Sequence, residues 1–201
     1  MSYLKAVGTT QWNRWAGAAT LSLGLAFGQH PPTAADVRFM SGMIVHHQQA
    51  ILIAGWASSH EANQSVRLLC ERIDVSQRDD IALIQHWLRD QHEAVPDSAS
   101  GHMHAMPGMT APMLMPGMLT PSQLASLDSA RGPAFDRLFL TFMIQHHQGA
   151  LTMVQSLLTT PGAAQDAFVF QFASGVSADQ TAEIDRMRRM LAALPANDKR
   201  P

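Results

Sequence analysis

Between Thr33 and Ala57 the apolar positions recur with helical spacing. At about 100° per residue, Asp36, Met40, Met43, His47, Ala50 and Ala54 fall on one narrow stripe, the i, i+4, i+7, i+11 pattern of a buried seam. The pattern then returns. Asp136, Leu140, Met143, His147, Ala150 and Val154 each follow their counterparts by one hundred residues, as do Phe139, Ile144, His146 and Gln148. The seam is apolar in both copies except for Asp, Met and His. His46 and His146 lie about a quarter turn away, on its shoulder, where the second copy adds Met153 and the first has Ile53.

Helical periodicity continues on either side. Thr33, after Pro31-Pro32, is a candidate N-cap. A turn at Ser58-Ser59-His60-Glu61 leads into a second predicted helix over 62–93, with Val66, Leu69, Cys70, Ile73, Ile81, Ile84, Trp87 and Leu88 on its inner side. Thr120-Pro121 is a further helix start. Gly132-Pro133 interrupts it, and helices are predicted over 134–158 and 164–194. Gln77, Asp80, Ile81 and Ile84 are echoed 103 residues on by Gln180, Glu183, Ile184 and Met187. The repeat therefore covers whole hairpins. Two αα-hairpins, 29–94 and 120–201, joined by a connector at 95–119, pack most simply as one all-α, antiparallel four-helix bundle. Asp80 and Glu183 then come within reach of the histidines, either as ligands or as acceptors that fix an imidazole tautomer.

The first 28 residues read as a signal peptide. Lys5 and Arg14 are not balanced by any acid, 16–27 is uncharged, and small residues precede Gln29. The apolar run is too short to span a bilayer, so no stable membrane span is expected after cleavage. Trp12 and Trp15 leave an uncleaved anchor as the other reading. Removing Lys5 and Arg14 from the fourteen basic residues leaves twelve against sixteen acids. No basic stripe suits nucleic acid. The one cysteine, Cys70, cannot form an internal disulfide and is either buried and inert or a soft ligand.

The candidate chemistry is metal binding. A buried histidine is often a hydrogen-bonded core residue, methionine fills irregular gaps, and an aspartate at a helix start caps it. Duplication of Asp36, Met43, His46 and His47 as Asp136, Met143, His146 and His147, with Met40 and Met153 beside them, favours ligands. The connector strengthens this reading. Pro96, Gly101, Pro107, Gly108, Pro112, Pro116 and Gly117 forbid regular structure there, yet the segment carries His102, Met103, His104, Met106, Met109, Met113, Met115 and Met118. Thioethers select Cu(I) or Ag(I), and the interleaved histidines favour copper over a Met-rich surface for a partner protein. Enzyme motifs are absent: the sequence holds no Glu-x-x-His, no zinc-protease motif and no Gly-x-Ser-x-Gly.

The pattern Asp-x-x-Phe-x-x-x-Met-Ile-x-His-His-Gln-x-Ala, from Asp136 to Ala150 and followed by Met153, resembles that of the domain-of-unknown-function 305 family. The resemblance covers about residues 34–194. It implies a ferritin-like helical bundle, export to the periplasm or secretion, and a connection to copper or silver resistance. It also implicates Met43, His46, His47, Met143, His146, His147 and Met153 in metal binding. Ile53 stands where the family prefers Met, and Leu140 replaces the Met seen at Met40, so the two copies are expected to bind unequally.

The expected protein is therefore not an enzyme. It sequesters or shuttles copper, Cu(I) before Cu(II) or Ag(I), in copper homeostasis or resistance, with another copper carrier or exporter as partner. Ordinary imidazoles would lose affinity below about pH 6. The alternative is a helical interaction module with structural histidines and a partner-docking Met loop.

Overall fold

The computed structural model describes residues 31–96 and 114–195. Five α-helices stand among them: α1 (Ala34–Gly55), α2 (Gln64–Asp90), α3 (Pro121–Ser129), α4 (Gly132–Thr159) and α5 (Ala167–Ala193), with a short 3-10 turn at Trp56–Ser58. Helix starts follow local chemistry. The Thr33 hydroxyl accepts from the Asp36 amide while the Asp36 carboxylate accepts from the Thr33 amide, a capping box. Thr120 and Gln123 form another at α3, and the side chains of Asn63 and Asp166 cap α2 and α5.

The helices form an all-α bundle of two hairpins. α1 packs on α2, α4 on α5, and α1 on α4. The central pair runs antiparallel, as the two repeated aspartates show. Asp36, at the start of α1, accepts a 2.7 Å hydrogen bond from the Ala164 amide beyond the end of α4. Asp136, near the start of α4, accepts from the Asn63 amide at 3.1 Å and from Asn63 Nδ2 at 2.7 Å, just beyond the end of α1. Each hairpin thus holds the turn of the other.

The core has two halves. One contains Ile53, Leu69, Ile73, Phe135, Phe139, Leu140, Met143, Ile184 and Met187. The other contains Phe39, Met40, Met43, Ile84, Leu88, Val154, Phe172 and Val176. Between them all four long helices contribute polar residues at mid-length: His46 and His47, Gln77 and Asp80, His146 and His147, Gln180 and Glu183. All but Asp80 and Glu183 are buried. A buried layer of this kind stabilises less than hydrocarbon would.

The end of the connector lies across the central pair. Leu119 is clamped by Gln49, whose Oε1 accepts from its amide at 2.7 Å and whose Nε2 donates to its carbonyl at 3.2 Å. Gln145 Nε2 donates to the Gly117 carbonyl at 3.3 Å. Gly117 has a φ of +77°, and the backbones of 116–117 and Gly149 are so close that a Cβ on Gly149 would overlap the Pro116 carbonyl.

The aspartate junctions yield a stability prediction. Asp136→Ala leaves the half-buried Asn63 amide without its buried carboxylate acceptor, a loss of about 1.5 to 3 kcal/mol for a charge-assisted pair. The urea midpoint should fall with the slope unchanged. An unchanged midpoint would mean that the junction is not holding the hairpins together.

Candidate metal centre

The layer is centred on His46 and His146, whose rings stack across the α1–α4 contact with centroids 3.9 Å apart and planes inclined at 38°. Both side chains are buried. His46 Nε2 donates to the Pro116 carbonyl at 3.0 Å. The other three nitrogens of the pair, His46 Nδ1 and both nitrogens of His146, have no hydrogen-bond partner. Burial drives the His46 pKa down to about 3, helped by the neighbouring His47. Burial, then His46 alongside, holds His146 well below its ordinary value. Both rings are therefore neutral at neutral pH, each with one N–H and one lone-pair nitrogen.

His60 provides the contrast. It is also buried, but its Nε2 donates to the Asp128 carbonyl at 2.9 Å and its Nδ1 lies 2.9 Å from Ser59 Oγ. That is a core histidine with its polar atoms satisfied. His46 and His146 are not satisfied in this way.

His47 and His147 flank the pair as matched histidine–carboxylate couples. His47 Nε2 lies 3.1 Å from Asp80 Oδ2, and His147 Nε2 lies 2.6 Å from Glu183 Oε2. The Nδ1 of each is buried without a partner. A carboxylate on one ring nitrogen fixes the tautomer and leaves the other nitrogen as the lone-pair site.

The remaining predicted residues divide by position. Asp36 and Asp136 share the histidine stripe but lie ten residues from His46 and His146, about 15 Å along the helix, where the opposite hairpin's turn engages them. The structure does not bring them to the histidines. Met40 and Met43 are fully buried in one half-core, and Met143 in the other. Met153 is half-buried, with its methyl beside Gly42. Cys70 is buried in a half-core, its thiol pushed up to about 12 by burial first and Asp136 second, which keeps it protonated. His102, Met103, His104, Met106 and Met109 lie outside the described residues.

Met115, which the sequence offered only as one of the connector's six methionines, lies on the clamped end of the connector with its sulfur over Gly42, one turn before His46. Its signal was the pair Gly42 and Phe142, one of the positions where the repeats disagree. Among the described residues no three His, Cys, Asp or Glu side chains converge as a preformed cage. The donors around the stacked pair are imidazole and thioether, a set suited to a soft cation.

The profile of DUF305, a domain of unknown function, matches residues 36–191. The chain belongs to the DUF305 family. Three solved structures share the fold of this DUF305 chain. A DUF305 fragment from Deinococcus radiodurans is 27% identical, with a TM-score of 0.68, covering 82% of this chain and all of the fragment. A DUF305 protein from Streptomyces coelicolor is 24% identical, with a TM-score of 0.65, covering 79% and 92% respectively. CopM in its Cu(II)-bound form is 26% identical, with a TM-score of 0.60, covering 78% of this chain and 95% of CopM. No curated protein matches the chain.

Proposed function

We propose that this DUF305 protein binds copper as cargo, with Cu(I) preferred, at the layer where its two repeats meet, and that it stores or hands on the ion without chemical turnover. One observation carries the reading. Two stacked, fully buried histidines present three unpartnered ring nitrogens, and unsatisfied buried polar atoms are rare unless they serve a purpose. His46 and His146 would supply nitrogen, Met153 a thioether, and the His47–Asp80 and His147–Glu183 couples would set the electrostatics around them. The Cu(II)-bound CopM supports copper as the metal. The reading includes an exported protein acting in copper homeostasis, with a copper carrier or exporter as partner. Among the described residues no helix is long and apolar enough to cross a membrane.

Competition titrations with Cu(I), Cu(II), Ag(I) and Zn(II) test this on the chain from Gln29 onward, beside a variant with His46, His47, His146 and His147 changed to Ala. Cu(I) should bind more tightly than Zn(II), and the fourfold change should weaken it at least about a hundredfold. Equal binding by the variant would return the histidines to a structural role.

A further inference from the structure

The repeat makes the histidine pair nearly symmetric, but its surroundings are not. Gly42 lies one turn before His46 on the same face of α1. The point where a Cβ would sit on Gly42 is 3.4 Å from Met115 Sδ and 3.4 Å from the Met153 methyl. The Met115 sulfur and the Met153 methyl, one from the connector and one from α4, thus both lie over a glycine one turn from His46. Met115 also directly precedes Pro116, whose carbonyl accepts the His46 Nε2 proton. On the twin side Phe142 replaces Gly42 and the fully buried Ile53 replaces Met153. That side offers hydrocarbon.

We propose that Met115 is a thioether ligand which, with Met153 and the His46–His146 pair, forms one copper site per chain that opens on one side only. This rests on the copper reading above and adds to it the ligand and the asymmetry. The clamp on the strap gives the assignment its physical basis. Gln49 holds Leu119 by two hydrogen bonds, Gln145 holds Gly117, and Gly149 admits the strap backbone at a distance no side chain would allow. Met115 is therefore held over Gly42, one turn from His46, before any ion arrives, which lowers the ordering cost of recruiting a flexible ligand. Its sulfur is a soft donor that fits Cu(I) and discriminates against Zn(II). As a packing residue it would be replaceable by leucine without consequence for metal.

The test uses the full chain with its methionine methyl groups labelled with carbon-13, titrated with Ag(I), a diamagnetic stand-in for Cu(I). It is run beside a Cu(I) competition titration of the native chain and of Met115→Leu. The methyl signals of Met115 and Met153 and the ring signals of His46 and His146 should move together along one isotherm. Met115→Leu should then bind Cu(I) about tenfold or more weakly. If the histidine rings move but the Met115 methyl does not, or if Met115→Leu binds as tightly as the native chain, the ligand assignment is overturned while the copper reading stands. If the histidine rings do not respond to metal, the copper reading fails and the assignment fails with it. Weaker binding by Met115→Leu without movement of the native Met115 methyl would mark the residue as packing and also overturn the proposal.

Discussion

Replacing His146 with leucine should make the metal-free protein more stable and remove its tightest copper site. Neither nitrogen of this buried ring makes a well-formed hydrogen bond, so folding strips them of water with little compensation. Protein mutational data put such a burden at about 1 to 3 kcal/mol per polar group. Leucine is close to histidine in volume and leaves little cavity. A net gain of about 1 to 2 kcal/mol in the urea unfolding free energy of the metal-free protein is expected, with Cu(I) affinity falling at least about a hundredfold. Functional sites commonly hold stability back in this way. A destabilised His146→Leu protein would mean that the ring nitrogens are satisfied after all, and the strongest support for a ligand role would be lost.

The second large effect is on pH. The folded-state pKa of His46 is about 3, and that of His146 is well below its ordinary value of 6.5. Once unfolded, both rings return to ordinary imidazole behaviour. Below pH 6.5 the unfolded chain therefore binds protons that the folded chain refuses. The stabilisation is complete above pH 6.5 and is lost as pH falls towards the folded values. Each histidine contributes up to about 1.4 kcal/mol per pH unit in that window. His46 alone should cost about 2 kcal/mol between pH 7 and pH 5, and His146 adds a loss of the same sign. Urea unfolding in the presence of a chelator, at pH 7, 6 and 5, measures this directly. His146→Leu should show a shallower slope. Parallel curves for the two proteins would place the titration elsewhere. The same burial revises the expectation of weakened metal binding below about pH 6. That threshold belongs to exposed imidazoles, and in the folded protein copper binding should persist until the fold itself gives way.

Much of the architecture was legible because periodicity is local. The stripe from Asp36 to Ala54 and its copy predict α1 and α4, and the echo of Gln77 and Asp80 in Gln180 and Glu183 anticipates the polar layer. Capping by Asp36 was legible, but the hold of Asp36 and Asp136 on the opposite hairpin's turn was not. A stripe on a helix reports angle and not height, so an aspartate can share a face with a histidine and still lie three turns away. Met115 was hidden for a different reason. Nothing in the connector's spacing separates it from Met113 or Met118, because its position depends on Gln49 and Gly149, far along the chain, meeting the strap. The informative positions were those where the repeat fails: Gly42 against Phe142, Gln49 against Gly149, and Met153 against Ile53.

The stacked histidines come one from each hairpin, at the largest contact between the two halves of the bundle among the described residues. An ion shared by them would act as a removable rivet. At a free concentration a thousand times its dissociation constant it would add about 4 kcal/mol to the folded state, more than any one hydrogen bond at the aspartate junctions. The loaded and empty proteins should then differ mainly in how firmly their halves are joined, so a protease could distinguish them without any change of shape.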